Sequence, residues 1–152
     1  MGQSLSQLYV HIVFHTKKNK GVLIREKEEA ELYAYMGAIM NDLECTPIII
    51  NGTSNHVHIF CILSKNIAMA KLVEDVKRHT SRWIKTKDVY YKDFAWQGGY
   101  GCFSVSPSVF EKTKHYILKQ KEHHRNKTFE EEYLLFLKEY KIEYKEDYVW
   151  DD

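Results

Sequence analysis

The chain has 152 residues, a formal net charge of +1, 44% apolar residues, 28% charged residues and 14% aromatics. That length carries one ordinary hydrophobic core, and that composition excludes a disordered or fibrous chain. No apolar run approaches the roughly 18 residues of a membrane span, the start MGQSLSQLYV lacks the basic-then-apolar pattern of a signal peptide, and Cys45, Cys61 and Cys102 form no CxxC pair, which argues against a disulfide or zinc-ribbon scaffold and for a reducing cytoplasm.

Residues 8–16 alternate and are rich in Val, Ile, Tyr and Phe, which predicts a strand. His11 and His15 fall on one face of it with Tyr9 and Val13. Residues 25–43 place Ala30, Leu32, Tyr33, Met36, Ile39, Met40 and Leu43 at helical spacing, with glutamates near the start where the helix dipole favours them. TPIIIN (46–51) is a second strand, GTSN (52–55) is turn chemistry, and residues 56–63 are a third strand, so this stretch reads as a hairpin. Residues 67–85 predict a helix with Ile67, Ala70, Val73, Val76 and Trp83 as its inner stripe. FAWQGGYGCFSVS (94–106) reads as a glycine-rich loop entering a fourth strand. Pro107 then opens a helix running to about residue 124, with Ser108 and Glu111 as its capping box, and residues 129–140 form a last helix.

The order βαββαβ predicts an α+β fold: a ferredoxin-like, RRM-like antiparallel sheet with helices on one face, the other face open, and a C-terminal tyrosine-bearing helix. No repeat, linker or low-complexity segment divides residues 1–152. They read as a single domain, with a core at about 5–106, the tyrosine helix at about 107–125 and an acidic C-terminal helix and tail at 128–152.

The near-neutral total hides a segregated charge. Residues 65–92 hold eight Lys/Arg against three acids, net +5; residues 112–127 hold six against Glu122 alone, again net +5; residues 128–152 carry net −6. Basic clusters attract phosphates by Coulomb attraction and counterion release, although a single run can be the solvated face of a helix. Lys71, Lys77, Arg78, Arg82 and Lys85 in the first segment, with Lys112, Lys119 and Arg125 in the second, are the candidate phosphate contacts. Trp83, Trp96, Tyr100 and Phe103 are candidates to stack on unpaired bases, with core packing the alternative for Trp83.

The third strand holds His56-Val57-His58. Residues two apart share a strand face, so both imidazoles project together, while Val57, Ile59, Cys61 and Leu63 form the apolar face beneath the helices. Two imidazoles fixed on neighbouring pleats make half of a metal site; ordinary hydrogen-bonded histidines share the same spacing. On the helix after Pro107, Tyr116 and Gln120 lie one turn apart on one face, which His123 and His124 continue.

Together, HVH (56–58), SRWIK (81–85), WQGGYGCFSVS (96–106) and YILKQKEHH (116–124) resemble, in order and over nearly the whole chain, the single-tyrosine HUH transposases of the insertion-sequence 200/605 group. The resemblance implies cleavage and rejoining of single-stranded DNA with Tyr116 as nucleophile, and a divalent metal ion, Mg2+ or Mn2+, held by His56, His58 and Gln120. It also implies recognition of hairpins at element ends, and a homodimer in which one subunit's tyrosine helix can complete its partner's histidine site. Two imidazoles by themselves suit zinc, manganese or cobalt better than magnesium. Asn55 stands where similar proteins often carry an acidic or another polar residue before the first histidine, which predicts an altered orientation of His56 rather than loss of the site. Three other readings stay open at this level: a non-catalytic single-stranded nucleic-acid-binding module, a zinc hydrolase using water, and a domesticated endonuclease that cuts repeated hairpins.

Overall fold

The alternating and helical patterns form their elements close to where the sequence places them. A computed structural model describes residues 2–124, 127–145 and 149–150. Its strands are β1 (Leu8–His15), β2 (Thr46–Gly52), β3 (His56–Leu63) and β4 (Gly101–Val105). Its helices are α1 (Glu26–Asp42), α2 (Met69–Lys85), α3 (Phe110–Leu118), α4 (Gln120–His123) and α5 (Phe129–Glu139). The strands make one antiparallel sheet in the order β2-β3-β1-β4, which is the expected split-βαβ topology.

One sheet face carries Ile12, Phe14, Val57, Ile59 and Cys61, all packed under Leu32, Met36 and Met40 of α1 and Leu72, Val73, Val76 and Ile84 of α2. Each such side chain contributes about 1.5–3 kcal/mol of burial. The inner stripe of α2 is rotated from the expected one, since Leu72 is buried while Ala70 is exposed. Trp83 sits at the core margin, stacked on Tyr35 at 5.1 Å.

The opposite face, expected to be open, is covered. Phe60 and Val105 pack with Ile117 of α3, and Val13 and Phe103 pack with Phe129, Tyr133 and Leu137 of α5. The physical reason lies in α5: its apolar residues at 129, 133 and 137 repeat every turn, and the face they form must be buried somewhere. Phe103 is consequently a core residue, stacked on Phe136 at 5.6 Å, while Trp96 is buried in the core on the other face, donating to Thr80 Oγ1 of α2 at 3.0 Å.

The helix expected from Pro107 is in three pieces. Pro107–Val109 is a 3₁₀ turn, capped by the Ser106 side chain, which accepts from the Ser108 N–H. The predicted Ser108–Glu111 capping box does not form, because Ser106 takes the capping role and α3 starts after Val109 with no side-chain cap. A second interruption falls at Lys119 (φ −95°, ψ 20°), between α3 and α4.

Candidate active site

The strand register assembles the histidines. His15 pairs with His56, Val13 with His58 and His11 with Phe60 across β1 and β3, so His11, His56 and His58 share the covered face. His56 and His58 are fully buried. His56 Nδ1 lies 2.8 Å from Asn55 Oδ1 and 3.0 Å from Thr53 Oγ1. Asn55 therefore contacts and orients His56 directly. His58 Nδ1 is 2.7 Å from His11 Nε2. His15 leaves the same face but packs on Phe129 at 5.5 Å, its Nδ1 2.6 Å from the Thr16 carbonyl.

The C-terminal helices bring the other half. Gln120 is fully buried with its Oε1 3.1 Å from His56 Nε2. The Tyr116 ring stands 6.0 Å from that of His58 and stacks on His123 at 4.7 Å. The structure thus brings together His56, His58, Gln120 and Tyr116, four residues singled out from spacing. It adds one that the sequence reading missed, Glu132 of α5. Glu132 Oε1 is 2.9 Å from His58 Nε2, and its Oε2 accepts from the Tyr116 hydroxyl and lies 3.5 Å from Gln120 Nε2 and 3.4 Å from His124 Nε2. Glu132 was legible as one of nine acids in a tail; the signal for it was its position between Phe129 and Tyr133 on the apolar stripe of α5.

Burial sets the electrostatics. It lowers the pKa of His56 well below the ordinary histidine value, aided by the charge of His58, and does the same to His11. Both are neutral donors of lone pairs. Burial, then the Glu132 carboxylate beside it, raises the Tyr116 phenol well above its usual value. At Glu132 burial pushes upward, but hydrogen bonds from His124 and His58 outweigh it and hold the carboxyl far below the usual range.

A cation fits this donor set. In the tautomer whose Nδ1 donates to Asn55, the Nε2 lone pair of His56 and the Gln120 carbonyl oxygen stand side by side at 3.1 Å as two ligand atoms for one cation. His56, His58 and Glu132 are also a buried group whose ligand atoms all lie within 4.8 Å of one another, so this group could hold a metal ion.

The phosphate candidates divide between the two sheet faces. On α2, Lys71 is 3.1 Å from Asp75, Arg78 is 3.0 Å from Asp75 and 3.4 Å from Glu74, and Lys77 Nζ donates to the Gln97 carbonyl at 2.9 Å. Arg82 and Lys85 are exposed on the same helix. All five lie on the helix that covers the face opposite the histidines. Lys112 and Lys119 are on the Tyr116 side. Tyr116 lines a cleft of about 300 Å³ with Lys112, Lys127 and Phe136, and another of about 350 Å³ with Lys119, Lys127 and His123. Arg125 lies outside the described residues. Among the described residues, no helix is long and apolar enough to cross a membrane.

Against known proteins, the family model described as "Transposase IS200 like" matches residues 4–120. The match ends at Gln120, so α5 and Glu132 lie beyond it. Among solved structures, the chain is similar to a candidate transposase from Deinococcus radiodurans R1 (18% identity, 79% of this chain and 96% of that one, TM-score 0.59). It is also similar to a REP-associated tyrosine transposase bound to a REP hairpin (8% identity, 82% of this chain and 73% of that one, TM-score 0.50). At these identities the likeness is one of fold. No curated protein matches the chain.

Proposed function

The chain belongs to the IS200-like transposase family, and from that premise we propose that it cuts and rejoins single-stranded DNA at hairpin-bearing ends through a covalent 5′-phosphotyrosine at Tyr116. The observation that carries this reading is the meeting of half-buried Tyr116 and buried Gln120 with buried His56 and His58, segments far apart in sequence, in one cluster.

His56, His58 and Gln120 would hold a divalent ion, Mg2+ or Mn2+, with Glu132 as a further donor only until the strand enters. When bound, that ion supplies Lewis-acid stabilisation of the charge that develops on the scissile phosphate. Asn55 and His11 orient the two imidazoles from behind. Tyr116 Oη attacks phosphorus, the P–O3′ bond breaks, and the phenolic proton lost is matched by the one the 3′ oxygen takes up. The phosphodiester energy is kept in the new P–O–Tyr bond, so a second 3′-OH can reverse the step without ATP. The lysines around Tyr116 would bind the strand's backbone.

Glu132, an anion in contact with His58 and with the nucleophile, would compete there with an incoming phosphate oxygen. Burial and then its carboxylate raise the phenol's pKa and so oppose loss of the proton. A phosphodiester therefore enters only when α5 withdraws. In the homodimer implied by the resemblance, Tyr116 and Gln120 would meet the histidines of their own subunit or, by exchange of tyrosine helices, those of the partner.

The test is incubation with single-stranded hairpin ends and Mn2+, followed by a denaturing gel. The parent forms a covalent protein–DNA adduct; Tyr116→Phe keeps DNA binding and loses the adduct. Cleavage that survives in Tyr116→Phe points instead to hydrolysis by water, and no cleavage by the parent to a binding module.

A further inference from the structure

Asn51 lies on β2 directly opposite His58 of β3, so the two side chains leave the same sheet face. Its Nδ2 donates to the carbonyl of Ile117 at 2.9 Å and to that of Leu118 at 3.2 Å. These are the last two carbonyls of α3. In a continuous helix Leu118 would accept from the Glu122 N–H, but that N–H turns to the Lys119 carbonyl at 3.1 Å. The stop at Lys119 has no local cause. No glycine or proline marks it, and Lys119 keeps a negative φ rather than adopting the usual left-handed cap. What satisfies the freed carbonyls comes from outside the helix, from Asn51.

The break has a consequence for the site. Beyond it, α4 starts with Gln120, whose side chain points inward to His56, while Tyr116, before the break, reaches His58 and Glu132. A second tether holds α4 to the same end of β2, since Lys121 Nζ lies 3.4 Å from the Gly52 carbonyl and 2.9 Å from Glu29. Gly52 allows this end of β2 to lie close against β3, because a Cβ there would run into the His56 carbonyl.

We propose that Asn51 is a positioning residue: by ending α3 against the histidine strand, it sets Tyr116 and Gln120 over His56 and His58. The inference rests on the reading of those four residues given above and adds what holds their two halves in register. It assigns Asn51 no contact with DNA and no role as a ligand.

The test uses the full chain with Asn51→Leu, which keeps the size and removes the donors, and Asn51→Asp at pH 8, which turns a carboxylate toward the two carbonyls. Amide hydrogen exchange, Mn2+ affinity, DNA affinity and single-turnover adduct formation are measured on each. The expected result is faster exchange confined to residues 116–123 and Mn2+ binding weakened about tenfold, as for other groups that orient ligands from behind. Adduct formation slows by roughly 100-fold, the cost of a misplaced reactive group, while DNA affinity is unchanged. Exchange and Mn2+ affinity equal to those of the parent in either folded variant overturn the proposal. So does exchange that rises equally in α1 and α2, which would make Asn51 a residue of general stability only. If the parent itself forms no adduct, the phosphotyrosine reading fails, and the exchange and Mn2+ measurements still decide the role of Asn51.

Discussion

His11 and His56 are buried as neutral imidazoles with their pKa values held below the ordinary 6.5, and this makes the metal-free protein acid-sensitive. Between the lowered folded value and 6.5, the unfolded chain binds more protons than the folded one, so stability rises with pH through that window and is lost as pH falls through it. Each histidine contributes a slope of up to about 1.4 kcal/mol per pH unit. Glu132 adds a second loss lower down: its depressed carboxyl stabilises the fold above its ordinary value of 4.5, and that stabilisation disappears as acid protonates it. Thermal melts of the metal-free chain from pH 8 to 5 should show the melting temperature falling below about 6.5, and a flat profile would mean the imidazoles are not buried. At this scale the sequence was readable where spacing alone defines a face. His56 and His58 two apart on a strand, and Tyr116 and Gln120 one turn apart, needed no tertiary information. Glu132 and Asn51 did, because each matters through a contact with an element distant in sequence.

Among the elements, the strands and α1 lie where alternation and helical periodicity put them, and the departures are at the C-terminal helices. The break at Lys119 was illegible because its cause is an amide on β2. The cover by α5 was partly legible, since Phe129, Tyr133 and Leu137 form an apolar stripe, but a stripe does not say which surface it meets. The surface it meets is the histidine face: Phe129 stacks on His56 at 4.3 Å with 24° between the ring planes, and Phe136 stands edge-on to Tyr116 at 5.7 Å. Phe129→Ala removes the first of these contacts and costs α5 about 3–5 kcal/mol of docking energy. It should raise hydrogen exchange in α5 and, because withdrawal of α5 precedes substrate entry, speed adduct formation. Unchanged or slower adduct formation with a loosened α5 would show that the cover does not limit access.

For the whole molecule, the distribution of charge matters more than its sum of +1. The two basic segments end up on opposite faces of the sheet, which the sequence could not show, because facing depends on how α2 and α3 wrap around it. They are also unequal in availability. On α2, Lys71 and Arg78 are engaged by Glu74 and Asp75, and Lys77 by backbone carbonyls. Lys112 and Lys127 instead line the clefts at Tyr116, with Lys119 there 3.7 Å from Glu122. A strand that must reach Tyr116 runs along this second face, so its phosphates displace counterions there. Each such contact adds about 0.7 to the slope of log K against log salt for single-stranded DNA. Lys112→Ala should therefore weaken binding to a single-stranded end and reduce that slope by about 0.7, whereas Arg78→Ala should leave both unchanged. A salt titration of the two variants by fluorescence anisotropy distinguishes the faces. Equal losses would mean the strand also wraps onto α2, and a loss for Arg78→Ala alone would move the DNA path to the face away from the histidines.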